Sequence, residues 1–118
     1  MLKLLIVPSL LFICVLSQTS QMDRPELVKS PITKKLVKLA INSLEGEQKL
    51  HLTNPEVMSV RTMIIRPGVS WNIEFLAEPL TTHHQVICSA SFNEMIPPVN
   101  GQEYYLLGAK CRDLVVLP

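Results

Sequence analysis

The chain has 118 residues, 47% of them hydrophobic, which is the size of one domain and too short for a catalytic domain joined to a regulatory one. Eleven basic side chains against ten acidic ones exclude both the clustered positive surface of a nucleic-acid binder and an acidic solvating tail. The four glycines form neither a phosphate-cradling loop nor a Gly-x-Ser-x-Gly elbow.

Residues 1–17 carry one charge, Lys3, ahead of an almost unbroken apolar run over 4–16. That run falls short of the ~20 residues a helix needs to cross a hydrocarbon core. Its charged start and small-residue exit are those of a cleavable secretory signal, with cleavage expected after Ser17. An uncleaved anchor is the alternative, opposed by Pro8 inside the run and by polar Gln18, Thr19, Ser20 and Gln21 directly after it. The chain therefore divides into a signal peptide, 1–17, and one domain, 18–118, of a secreted, extracellular protein with no nucleic-acid or membrane partner. Removing the signal removes Lys3 and Cys14, which leaves two cysteines, Cys88 and Cys111. An even pair in an oxidising compartment predicts one disulfide, contributing about 3 kcal/mol through loop closure. His51, His83 and His84 lack the paired short spacings of a zinc motif, so no metal or other cofactor is expected.

After a polar leader over 18–29, Ser30-Pro31 opens a helical pattern with apolar residues at Ile32, Leu36, Val37, Leu39, Ala40, Ile41 and Leu44. Ser30 suits the N-cap, Pro31 the first helical position, and Gly46 a left-handed end, which predicts a helix over 31–45. Lys34, Lys35 and Lys38 keep one face solvated, while the apolar stripe needs a partner. From residue 58 the period becomes two. Val60, Thr62 and Ile64 alternate with Arg61 and Met63, and Val69, Trp71, Ile73 and Phe75 alternate with Ser70, Asn72, Glu74 and Leu76. Arg66-Pro67-Gly68 joins the two as a hairpin, with glycine permitting positive φ. Pro-Gly fits a two-residue hairpin poorly, so a longer or bulged loop that projects is expected.

A polar connection over 78–84 leads to another alternating strand through Val86, Cys88, Ala90 and Phe92. Pro97, Pro98 and Asn100-Gly101 mark a turn, and a last strand runs over 104–111. One helix followed by four hairpin-connected strands, with the leader adding a fifth at an edge, predicts an α+β fold: one long helix packed across a four- to five-stranded antiparallel sheet. Trp71 belongs to the core, because it shares a face with Val69, Ile73 and Phe75. His83 and His84 read as a solvated loop, and Tyr104-Tyr105 puts one ring on each sheet face.

This order of elements resembles the secreted cystatins over about residues 26–113. The resemblance is carried by Arg66-Pro67-Gly68-Val69-Ser70-Trp71-Asn72-Ile73-Glu74-Phe75 as hairpin exit and strand, and by Cys88 and Cys111. It implies an inhibitor of papain-like cysteine peptidases that blocks the active-site cleft with an N-terminal trunk and two hairpin loops. Carried over, the trunk is Val28, Lys29 and Ser30, with Lys29 and Ser30 where the family shows two glycines. The first loop is Ile64, Ile65, Arg66, Pro67 and Gly68, in which only Gly68 matches Gln-x-Val-x-Gly. The second loop is Pro97 and Pro98, without the tryptophan that follows the family's proline.

Arg66 at such a cleft must be solvated at the rim or meet an acidic partner, since burying it unpaired costs several kcal/mol. Departure in all three parts supports an alternative, a secreted cystatin-fold interaction protein that has lost inhibition. No enzymatic activity is expected, because the histidines form no recognisable base-nucleophile arrangement. The domain is expected to be a monomer that can swap domains into a dimer if the first loop opens.

Overall fold

The computed structural model describes residues 21–82 and 84–114. The expected signal peptide, Cys14 and His83 lie outside the described residues. The elements are β1 (Met22–Asp23), a 3-10 turn (Pro25–Leu27), α1 (Pro31–Gln48), β2 (Leu52–Ile64), β3 (Gly68–Pro79), β4 (Val86–Val99) and β5 (Gln102–Asp113). The five strands form one antiparallel sheet in the order β1-β2-β3-β4-β5. One helix packs against it, so the α+β architecture expected from the sequence is observed, including the short leader strand at an edge.

The helix begins where its caps direct. Ser30 is extended (φ −74°, ψ 151°), its hydroxyl accepts the Thr33 amide at 3.2 Å, and Pro31 follows without an amide to leave unpaired. Thr33 is buried without penalty, because its hydroxyl donates to the Leu27 carbonyl at 2.6 Å. Leu36, Val37, Ala40 and Leu44 form the buried stripe.

The helix does not end at Gly46. It continues to Gln48, and Lys49 takes the left-handed conformation (φ 57°), with the Lys49 and Leu50 amides both turning back to the Leu44 carbonyl. Gly46 is exposed and meets nothing, so it is tolerated inside the helix at a loss of roughly 1 kcal/mol relative to alanine. The stop is set by tertiary packing: Leu50 must reach the core and Leu52 must enter β2.

Register explains the core. Four neighbouring positions meet in each layer of the helix-facing side: Thr62, Trp71, Phe92 and Leu106, then Val60, Ile73, Ala90 and Ala109, then Val57, Phe75, Cys88 and Cys111. Trp71, Ile73, Phe75, Ala90 and Phe92 are buried beneath the helix stripe, and Trp71 is a core residue as expected. Cys88 and Cys111 form a disulfide across the β4–β5 ladder.

Two strands exceed their expected bounds. β2 starts at Leu52 rather than near 58, because Asn54 (φ 51°), Pro55 and two register shifts between residues 53 and 59 interrupt the alternation that marks a strand. β4 runs on through Pro97 and Pro98 to Val99. Prolines have no amide to donate, so residues 95–98 leave the β5 ladder, which resumes at Val99 opposite Gln102. Asn100 (φ 54°) and Gly101 (φ 77°) then close a two-residue hairpin turn, both in the left-handed region that such turns require.

Candidate functional site

One end of the sheet lies beyond the helix, and there the first hairpin meets the outgoing half of β4. The β2–β3 ladder closes at Ile64 opposite Val69, and the Ile65 amide donates to the Gly68 carbonyl at 3.0 Å. Residues 65–67 form the turn, longer than a two-residue hairpin loop. Positive φ there is taken by Arg66 (40°), not by Gly68, which corrects the role expected for the glycine.

Gly68 is needed for a different reason. It is buried opposite Met95, and a Cβ built on it would overlap the Glu94 backbone carbonyl. Close backbone approach thus seats the hairpin on β4, and the Ile96 amide adds a bond to the Pro67 carbonyl at 3.1 Å. The first turn is thereby bonded to the outgoing half of β4.

This unit exposes apolar side chains. Ile64 is 66% and Ile96 is 54% accessible, and Pro67, Pro97, Pro98 and Val99 are exposed beside them, with Arg66 as the cation at the tip. Ile65 is half-buried. Just inside the rim, the Trp71 indole donates to Glu94 Oε1 at 2.9 Å, and Trp71 meets Tyr104 edge to face with ring centroids 6.2 Å apart. Burial, and then the nearby Glu94 and Glu103 charges, push the Tyr104 phenol above its ordinary value.

The structure brings together only part of the expected site. Ile64, Ile65, Arg66, Pro67 and Gly68 join Pro97 and Pro98, though the prolines sit within β4 rather than in a loop. Val28, Lys29 and Ser30 do not join them. Val28 is half-buried against the core and lies beside Met58, Val60 and Arg61, three to six residues or about 10–20 Å down β2 from Ile64 at ~3.3 Å per residue. Ser30 is engaged as the helix N-cap.

The described leader residue paired closest to the tip is instead Met22. β1 pairs Asp23 with Arg61 and Met22 with Thr62, so the chain enters the sheet from the hairpin end. An Arg61 to Asp23 ion pair at 3.0 Å and an Arg24 amide bond to the Val60 carbonyl hold it there.

Ile96 and Glu94 escaped the sequence reading. Ile96 stands in a proline-rich stretch that reads as turn, and its signal is an apolar residue where a turn would place a polar one. Among the described residues no group of three His, Cys, Asp or Glu side chains is placed to hold a metal ion, and no helix is long and apolar enough to cross a membrane. Comparison with protein-family models, with curated proteins and with solved structures finds no match to this chain.

Proposed function

We propose that the chain is a secreted cystatin-like protein that inhibits papain-like cysteine peptidases by inserting its apolar rim into the active-site cleft. The observation that carries this reading is the fixed junction of the two hairpins. Gly68 seated on the Glu94 carbonyl and Ile96 bonded to Pro67 present Ile64, Pro67, Ile96 and Pro97 along one edge. A rigid rim loses little entropy on docking, and a cleft occupied without a scissile bond in place is blocked rather than served with substrate. Arg66 at the tip selects a peptidase with acidic groups at the rim of its cleft. The disulfide agrees with passage through an oxidising compartment.

A second reading is a cystatin-fold interaction protein without inhibitory activity. It is favoured by the distance of Val28, Lys29 and Ser30 from the rim, which leaves the expected trunk residues out of any wedge.

Titrating the oxidised protein against a panel of papain-like peptidases tests both. Saturable inhibition is expected, weakened at least tenfold by Ile96→Arg, with thermal stability unchanged because Ile96 is exposed. Absence of inhibition at tens of micromolar by a folded, oxidised sample overturns the first reading in favour of the second.

A further inference from the structure

The two edges of the sheet are protected to different degrees. β2 is covered at 61–62 by β1, and elsewhere it is broken by Asn54, Pro55 and two register shifts. Among the described residues, β5 has β4 on one side and no strand on the other over twelve residues without proline. Among the described residues, the side-chain hydrogen bonds to the β5 backbone are a long one from Gln48 Nε2 to the Ala109 carbonyl, 3.4 Å, and one within the strand from Gln102 Nε2 to the Tyr104 carbonyl, 2.9 Å.

β5 contains one irregularity. Leu106 stands opposite Phe92 and Gly108 opposite Ser91, so Leu107 is an extra residue, and it is 61% exposed. That insertion inverts the alternation. Tyr104 and Leu106 share the helix-facing side with Ala109 and Cys111, while Tyr105 shares the other side with Gly108 and Lys110. The face pattern is therefore symmetric about a point between Leu106 and Leu107.

A second β5 running antiparallel about that point sets Tyr104 opposite Ala109, Tyr105 opposite Gly108 and Glu103 opposite Lys110, every pair on one face. Without the insertion, the same two-fold would oppose side chains of different faces. Glu103 and Lys110 are both exposed, and neither takes part in an ion pair among the described residues. Across the two-fold they meet twice, and Gly108 leaves room opposite Tyr105.

We propose that β5 is a self-association edge, through which two copies of this chain join their sheets in the register centred between Leu106 and Leu107. The bulge fixes the register, the unpaired backbone supplies the ladder, and the two Glu103 to Lys110 contacts supply specificity. A partner strand replaces the long Gln48 contact on Ala109. The proposal is independent of the peptidase reading, since it uses no residue of the apolar rim.

Sedimentation equilibrium of the oxidised protein, expressed from the full chain in a secretory host, tests it at low ionic strength. A reversible, concentration-dependent dimer is expected. Glu103→Lys and Lys110→Glu should each weaken it about tenfold, because two attractive contacts become repulsive, and the double reversal should restore it. Restoration by the double variant separates lost pairing from misfolding. A monomer at every concentration, a dimer indifferent to both single reversals, or a slowly exchanging domain-swapped dimer overturns the proposal.

Discussion

The same four strands behave differently beneath the helix and beyond it. Beneath α1, the layers Val60-Ile73-Ala90 and Val57-Phe75-Cys88 are closed by Leu36, Val37, Ala40 and Leu44, and Ile73 and Phe75 have no exposed surface. Beyond the helix, the next positions on that face are Ile64, Val69, Glu94 and Tyr104, and the sheet has to finish itself. It does so with an acceptor for the Trp71 indole and an aromatic edge contact, and then leaves Ile64 and Ile96 in water. Apolar residues at equal strand positions are core or surface according to whether the helix reaches them. The uncovered end is where a partner can add the missing layer.

Three tests sharpen this contrast. Phe75→Ala empties the covered layer and should have the largest effect, lowering the unfolding free energy by about 3–5 kcal/mol in denaturant titration of the oxidised protein. A loss below about 1 kcal/mol would mean that the helix does not close this layer. Gly68→Ala attacks the junction at the uncovered end. Its Cβ must displace the Glu94 backbone, so a loss of about 1–3 kcal/mol is expected, together with altered protection of the Ile96 amide in hydrogen exchange. Unchanged stability and protection would show that the two hairpins are not held against each other.

The smallest effect is electrostatic. Tyr104 has a folded-state pKa above that of the unfolded chain, so its contribution to stability is present below about pH 10 and is lost as pH rises through the higher folded value. An alkaline absorbance titration should show a phenol ionising above the ordinary range, absent in Tyr104→Phe. Glu94→Gln should move that step downward by removing the negative charge with the larger effect. No change in Glu94→Gln would leave burial and the Glu103 charge as the causes.

Much of the fold was legible because its signals are local. Ser30-Pro31 marks a helix start through capping chemistry, and the alternation from Val69 to Phe75 marks a half-buried strand through side-chain geometry alone. Local signals misled where long-range packing overrode them. Gly46 has the residue type of a helix end but not the position, since Leu50 has to be delivered to the core. Pro97 and Pro98 read as a loop, yet they extend a strand, because β4 outruns the ladder and so needs no amides there. The expected trunk residues are placed away from the rim for a related reason. Lys29 and Ser30 sit directly before the helix, and a residue that caps a helix under the sheet cannot also stand at the tip of a hairpin.

By itself, the sequence determined the element types, the one-helix-then-strands order, the burial of Trp71 and the pairing of Cys88 with Cys111. Each of these depends on periodicity, capping or count. Only the tertiary structure decided that Gly68 serves close approach to Glu94 rather than positive φ, that Ile96 joins Ile64 on an exposed rim, and that Leu107 inverts the faces of β5. Those depend on register between strands far apart in the chain, and register is set by the packing of a whole face rather than by any segment's own residues.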